Sequence, residues 1–308
     1  MKDLPNTLHY GDYIIRKNAP KQSEKPNDGV LFIVCTPIGN LGDISLRALE
    51  ILSTVDLIAC EDTRHSHTIL QKLGVPTKTT SYFKFNEKKK LSTLINKLKQ
   101  GQCIALISDA GTPGLSDPGE VFINEAIKEK ISIEFIPGPN AVIPALILSG
   151  FPAIPFAFAG YLPPRTKDRI IFLTKYKYFQ GTLLFFEVPH RLRESLKDFA
   201  QVFTKTPLCV VRELTKIHQE IIRDTAENSA EIFINKTIKG EIVIALDNSK
   251  APKYPILTEP DEEAYQTILD EYETLLKNGL DKKDALRVLS EATGIPKREL
   301  YKKLFIKQ

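Results

Sequence analysis

Ile104-Ala-Leu-Ile-Ser-Asp-Ala-Gly-Thr-Pro-Gly-Leu-Ser-Asp-Pro-Gly119 changes character half-way along. Cys103–Ile107 is a short apolar run of the kind that forms a strand buried on both faces. Ser108–Gly119 is a polar loop with three glycines, stiffened by Pro113 and Pro118. Gly111 and Gly114 permit a positive φ or a close approach of backbone to ligand. Asp117-Pro118-Gly119-Glu120 has the order of a helix start, with Asp as N-cap, Pro at N1 and Glu at N3. Strand, stiff loop and helix N-terminus in that order are where an open α/β sheet binds small molecules. A tight turn without a ligand would share much of this, but Ser108, Asp109 and Thr112 add more polarity than a turn requires.

The flanking sequence repeats the scheme. Val30–Cys35 is an apolar strand followed by the loop Thr36–Gly42, with Asp43 capping a helix whose apolar face is Ile44, Leu46, Leu49, Leu52 and Val55. Leu57–Cys60 is a second strand, trailed by Glu61-Asp-Thr-Arg-His65 and a helix to about Leu73. Lys78–Phe83 is a weaker third strand, before a Lys-rich helix over Glu87–Lys99. Ser132–Ile136 is a fifth, followed by Pro137-Gly-Pro-Asn140 and a helix to Leu148. Five alternations of strand and helix predict a mostly parallel sheet with right-handed crossovers. The four unusual loops all follow strands, so their chemistry collects on one edge of that sheet. This edge is the expected site.

The fold class expected is therefore α/β, with two α/β domains and a small C-terminal helical module. Residues 1–29 are a polar extension read as disordered, 30–149 the first α/β domain, 150–250 a second that closes an active-site cleft, and 251–308 the helical module. In the second domain, strands are expected at Phe156–Ala159, Thr182–Phe186, Leu208–Arg212, Gln219–Ile222 and Glu241–Leu246, with helices near Lys167–Thr174, Pro189–Phe199 and Ala226–Phe233. From Lys277 onward, nine Lys or Arg stand against four Asp or Glu, with the spacing of a helix-turn-helix whose second helix is basic. A solvated helical cap and a nucleic-acid contact both fit this module.

Composition narrows the function classes. The 308 residues are 42% hydrophobic, enough for more than one core, and the net charge of +4 alone is too small to imply nucleic acid. Cys35, Cys60, Cys103 and Cys209 lie apart in or beside apolar runs, with no C-x-x-C, so buried reduced thiols are expected and no metal. No apolar run is long enough to span a membrane, which points to the cytoplasm. Neither a G-x-G-x-x-G after the first strand nor a G-x-x-x-x-G-K-[ST] occurs, which disfavours dinucleotide enzymes and P-loop NTPases.

Glu61, Asp62, Arg64 and His65 offer an acid, a base and an anion anchor, or else a salt-bridged helix cap. His65-Ser-His67 lacks a nearby third ligand for a metal. Around the expected cleft the basic candidates are Arg64, Arg165, Lys167, Arg169, His190, Arg191, Arg193, Arg212 and Lys216. Tyr82, Phe83, Phe85, Tyr161, Tyr176 and Tyr178 interleave aromatics with them. Cations with stacking faces suit single-stranded RNA.

Four motifs then converge on a family. Cys35-Thr-Pro-Ile-Gly-Asn-Leu-Gly-Asp43, Ala59-Cys-Glu-Asp-Thr-Arg-His65, Ser108–Gly119 and Pro137-Gly-Pro-Asn-Ala141 closely resemble the bacterial 16S rRNA (cytidine 1402-2′-O)-methyltransferases of the tetrapyrrole-methylase superfamily. Gly160-Tyr-Leu-Pro163, Phe186-Glu-Val-Pro-His-Arg191 and Val211-Arg-Glu-Leu-Thr-Lys216 agree, so the likeness runs from about Val30 to Asp247. It implies S-adenosylmethionine bound between two α/β domains, a homodimer, and 16S rRNA of the small ribosomal subunit as substrate. It also implies Pro37 over the cofactor, Asp109, Ala110, Gly111, Thr112 and Pro113 around it, Asn140 and Ala141 from the fifth-strand loop, and Leu214 and Gly240 from the second domain. The transfer is an in-line displacement by a ribose 2′-hydroxyl, with Glu61, Asp62 or His65 as the proton acceptor and Asp109 as a binder. Arg64, Arg165, His190, Arg191, Arg212 and Lys216 are the expected RNA contacts. The alternatives are a small-molecule, tetrapyrrole-like methylase and a non-enzymatic nucleic-acid binder.

Overall fold

The computed structural model describes residues 29–83, 86–234, 236–251, 262–277 and 279–305. The polar extension, apart from Gly29, and Phe85 lie outside the described residues. Contacts divide the chain into two compact units. One comprises the chain up to Thr36 and Ile44–Gly138; the other comprises Pro37–Asp43 and everything from Pro139.

In the first unit, β1 (Val30–Val34), β2 (Leu57–Cys60), β3 (Thr79–Ser81), β4 (Ile104–Leu106) and β5 (Ser132–Ile136) form one wholly parallel sheet in the order β3-β2-β4-β1-β5. Every residue of β1 is buried, as its unbroken apolar run requires. Val30, Phe32 and Val34 face a core with Ile51 and Leu52 of α1 (Leu46–Thr54) and Leu70 of α2 (Thr63–Lys72). Leu31 and Ile33 face the opposite core, with Leu94 and Leu98 of α3 (Glu87–Lys99) and Phe122 of α4 (Glu120–Lys128). Each such fully buried side chain contributes roughly 1.5–3 kcal/mol of hydrophobic stabilisation. The neighbours β1 and β4 thus send the chain to helices on opposite faces. A crevice opens at the carboxyl ends of such strands.

Two helix starts differ from the sequence expectation. α1 is capped by Ser45, whose side chain accepts from the Ala48 N–H, whereas Asp43 ends a short 3-10 turn over Leu41–Asp43. α4 begins at Glu120 with Gly119 as its cap at φ 140°, not at Asp117-Pro118. A Cβ on Gly119 would meet Leu106 Cδ2 at 2.9 Å, so close packing beneath the loop sets this start.

In the second unit, β6 (Phe156–Tyr161), β7 (Thr182–Glu187), β8 (Pro207–Arg212), β9 (Glu220–Thr225) and β10 (Ile242–Asp247) form a mixed sheet in the order β6-β7-β10-β8-β9. Only β6 and β7 are parallel; β10 runs antiparallel to β7 and β8, and β8 to β9. α5 (Val142–Ser149) packs against β10 and β8 of this sheet. The main core of the unit gathers Phe185, Phe199, Phe233 and Ile244, with α6 (Thr166–Thr174), α7 (Leu192–Phe203) and α8 (Ala226–Ile232) contributing. The C-terminal module is α9 (Glu262–Lys277), α10 (Lys282–Thr293) and α11 (Lys297–Phe305). Its apolar residues, among them Tyr272, Leu275, Val288, Leu289 and Leu300, share one core with Ile170 and Ile171 of α6.

Arg169 corrects another expectation. Read as a cleft cation, it is fully buried instead: its Nε donates to Asp198 Oδ2 at 2.6 Å, and its Nη1 donates to the Pro163 and Pro164 carbonyls. Tyr82, read as a possible stacking face, is likewise buried against Phe122. Removing one partner of a buried ion pair leaves a charge with no compensation. Asp198→Ala is therefore expected to lower the unfolding free energy by about 3–5 kcal/mol. Urea denaturation reads this directly, and a loss within experimental error would show that the pair stabilises nothing.

Candidate active site

At the carboxyl edge of the first sheet, hydrogen bonds tie three loops together. Thr36 N–H donates to the Gly111 carbonyl at 2.9 Å, and Gly111 N–H donates back to the Thr36 carbonyl at 3.0 Å. Thr36 Oγ1 donates to the Ser108 carbonyl at 3.2 Å, and Cys35 Sγ lies 3.3 Å from Thr112 Oγ1. Gly111 holds φ at 79°, which only glycine adopts cheaply. On the other side, Asp109 Oδ1 accepts from the Asp62 N–H at 3.2 Å, joining the loops after β2 and β4. Three strand ends separated in sequence thus become one polar edge.

The electrostatics of that edge are acidic. Burial, together with the carboxylates of Asp109, Asp117 and Asp62, pushes the Glu61 pKa upward. Asp62 is the opposite case. It caps α2, accepting from the Arg64 N–H at 2.9 Å and pairing with the Arg64 guanidinium at 3.0 Å, and these bonds hold its pKa at about 2. Two adjacent carboxylates therefore differ in kind: Glu61 is disposed to take a proton, whereas Asp62 is committed to its anionic form. His65 stands exposed in the first turn of α2. Burial raises the thiols of Cys35, Cys60 and Cys209, so none is poised as a nucleophile.

The remaining candidates lie in the second unit. Asn140 Oδ1 accepts from the Ile143 N–H in the first turn of α5 at 2.9 Å, and Ala141 is the N-cap residue of that helix. The loop that begins at Pro37 packs on the turn after β8: Asn40 N–H donates to Thr215 Oγ1 at 3.2 Å, and a Cβ on Gly39 would lie 3.0 Å from the Leu214 carbonyl. This brings the Pro37 loop and Leu214 together. Gly240, at φ 86°, lies against Glu213, whose carboxylate a Cβ would strike at 1.9 Å. Glu213 was not anticipated from sequence. Its Oε1 accepts from the Lys216 ammonium at 2.8 Å and from the Glu241 N–H at 3.0 Å, and it organises this turn.

Several expected RNA contacts are already engaged in ion pairs. Arg191 pairs with the buried Glu187 at 2.7 Å, Arg212 with Glu220 at 3.1 Å, and Lys216 with both Glu213 and Glu241. Arg165 is exposed at the N-terminus of α6. His190, Arg193 and Lys236 line an open concavity of about 380 Å³ beside the α7 N-terminus. The sequence did not single out Lys236, because only the fold brings it next to the Pro189-His190 turn. Among the described residues, no His, Cys, Asp and Glu cluster has the arrangement of a metal site, and no helix is long and apolar enough to cross a membrane.

The donor set at the first unit's edge fits a cationic ligand. The carboxylates of Asp109, Asp117 and Asp62 act on Glu61, and the nearby Arg64 guanidinium is paired with Asp62. A sulfonium or ammonium group would relieve the repulsion that raises Glu61. Comparisons with known proteins point the same way. The sequence profile of the Tetrapyrrole (Corrin/Porphyrin) Methylases matches residues 30–230. The chain is 40% identical over 275 residues to ribosomal RNA small subunit methyltransferase I of Synechocystis sp., covering 89% of this chain and 96% of that protein. It is 36% identical over 287 residues to the protein of the same name from Halalkalibacterium halodurans, covering 92% and 98%. Among solved structures, a cobalt precorrin-4 methyltransferase superposes with a TM-score of 0.54 at 18% identity, covering 72% of this chain and 96% of that one; this likeness is one of fold.

Because the Glu61 pKa is raised, its contribution to stability is fully present below the ordinary glutamate value and is lost as pH rises through the folded-state value. Glu61→Gln removes that loss. The variant should melt at a higher temperature than the parent at pH 7.5, with the difference shrinking at pH 4.5. Thermal unfolding at both pH values checks this; a pH-independent difference would remove Glu61 from the acidic field.

Proposed function

We propose a function from one premise: the chain belongs to the tetrapyrrole methylase family, among the ribosomal RNA small subunit methyltransferase I proteins. It is an S-adenosylmethionine-dependent methyltransferase that methylates the ribose 2′-oxygen of a cytidine, position 1402, in 16S rRNA of the small ribosomal subunit. The observation that carries this is sequence identity: two methyltransferase I relatives are 40% and 36% identical over about nine-tenths of this chain and nearly all of their own length.

When bound, S-adenosylmethionine supplies an electrophilic methyl on a sulfonium that leaves as a neutral thioether. The chain's own residues do the rest. Asp109, Ala110, Gly111, Thr112 and Pro113 would hold the cofactor at the first sheet's edge, with Asp109 as the anionic contact. Pro37, Asn140, Ala141, Leu214 and Gly240 are the further residues that would hold it, as the family resemblance implies. Glu61 accepts the proton that the 2′-hydroxyl loses as its oxygen bonds to the methyl carbon, because its raised pKa matches that task and Asp62 is tied up as a helix cap. His65 remains a second acceptor within the same turn. Arg64, Arg165, His190, Arg191, Arg212 and Lys216 approach the rRNA backbone, some by exchanging their present carboxylate partners for phosphates. The enzyme acts as a homodimer in the cytoplasm, a pairing favoured by the exposed apolar stripe of Ile143 and Ile147 on α5.

The acceptor decides between this function and a small-molecule methylase. Incubated with labelled S-adenosylmethionine, the protein is expected to label small ribosomal subunits that lack their own ribose methylation and to leave a reduced tetrapyrrole unlabelled. Label on the tetrapyrrole alone would install the alternative. Glu61→Gln is expected to lower kcat by about 10²–10⁴-fold, the range of a lost general base.

A further inference from the structure

Helix α11 carries Lys297, Arg298, Lys302 and Lys303 against one carboxylate, Glu299. All four cations are exposed, and among the described residues none has a carboxylate within 4.0 Å. Four acidic residues of the module are used elsewhere. Asp281 and Asp284 pair with Lys167 at 2.9 and 2.6 Å, Glu291 with Lys175 at 2.5 Å, and Glu271 with Lys177. All three lysines lie on or just after α6, so carboxylates dock the module there; on α11, Lys303 lies over the Tyr265 ring at 5.3 Å and Lys297 acts on Glu291, while Arg298 and Lys302 are left to solvent.

The helix also has a fixed orientation. Leu300 is fully buried in the module core and Leu304 packs against it. That anchoring turns Arg298 and Lys302, one helical turn apart, toward solvent, with Tyr301 and Phe305 beside them. Tyr301 is 51% exposed and Phe305 43%, with ring centres 5.3 Å apart, and Phe305 is braced against Tyr272 at 5.0 Å. The apolar stripe of α11 is already consumed by the core, which leaves a bilayer little to bind. Two exposed cations, Arg298 and Lys302, with no paired carboxylate among the described residues and next to an exposed braced aromatic pair, suit a nucleic acid.

We propose that this face of α11 is an RNA-docking surface separate from the methyl-transfer site, and that it takes an irregular or single-stranded stretch of ribosomal RNA. Lys297, Arg298 and Lys302 contact phosphates, and Tyr301 offers a stacking face to an unpaired base. A-form duplex is the poorer fit, because its deep major groove does not admit side chains. The inference rests on ribosomal RNA being the substrate and adds a second point of attachment, one that contributes binding rather than chemistry.

The test uses the full chain with the double substitution Arg298→Gln/Lys302→Gln and, separately, Tyr301→Ala. All three positions are exposed, so circular dichroism should match the parent. In steady-state methylation of small subunits near 0.1 M salt, the double variant is expected to raise KM about tenfold and keep kcat within about twofold. Its log-affinity against log-salt slope should be shallower by about 1.4, the value for two lost single-strand phosphate contacts. Tyr301→Ala should weaken binding with the slope unchanged. Unaltered KM and salt slope in the double variant would overturn the surface while leaving the methylation in place. Should the parent fail to methylate subunits at all, the substrate assignment falls instead. Filter retention of subunits then still reads the surface, and equal retention of parent and double variant overturns it.

Discussion

Two hydrogen bonds between Thr36 and Gly111 hold the first unit's functional edge together. β1 and β4 are paired in a parallel ladder up to Ile33 and Leu106, and beyond that pair their chains leave for helices on opposite faces. The Thr36–Gly111 bridge closes that gap, and it needs the positive φ of Gly111. Thr36 Oγ1 on the Ser108 carbonyl and Cys35 against Thr112 reinforce the same closure. Everything proposed for the site follows from this, because the bridge sets where Asp109 stands and Asp109 in turn holds the loop of Glu61 and Asp62.

Within that frame the chemistry is sorted by local bonding more than by residue type. Glu61 and Asp62 are adjacent carboxylates, yet one is raised by burial and neighbouring charge and the other is held at about 2 by a guanidinium and a helix N–H. The second unit shows the same economy. Glu213 binds the Lys216 ammonium and the Glu241 N–H and lies against Gly240, so the turn that carries Leu214 is cross-linked by the chain's own residues. A preformed turn of this kind lowers the entropic cost of binding.

Much of this was legible in the sequence, and the failures have physical causes. The parallel sheet could be read because strands buried on both faces appear as unbroken apolar runs, as at Val30–Val34. Helix starts were misjudged at Asp43 and Asp117 because two cap-competent residues stood within one turn, and packing chose between them. The mixed pairing of the second sheet left a trace only between β8 and β9, whose short connection leaves room for no parallel crossover; the partners of β10 carry no such local signal. Arg169 was mistaken for a surface cation because its partner Asp198 lies in the next helix, beyond any local pattern. Glu61 and Asp109 could be named from motifs, but the division of labour between Glu61 and Asp62 needed distances. α11 was legible as basic; its lack of counter-charges was not.

The central claim is that the β4 edge, through the Asp109 carboxylate, binds S-adenosylmethionine. Calorimetric titration of Asp109→Asn with the cofactor tests it most directly, because an amide oxygen can still accept from the Asp62 N–H and only the charge is lost. The account predicts an affinity lower by about 10–100-fold with unchanged thermal unfolding, as expected for removing a charged hydrogen bond. Cofactor affinity equal to that of the parent would contradict it and move the binding site away from this loop.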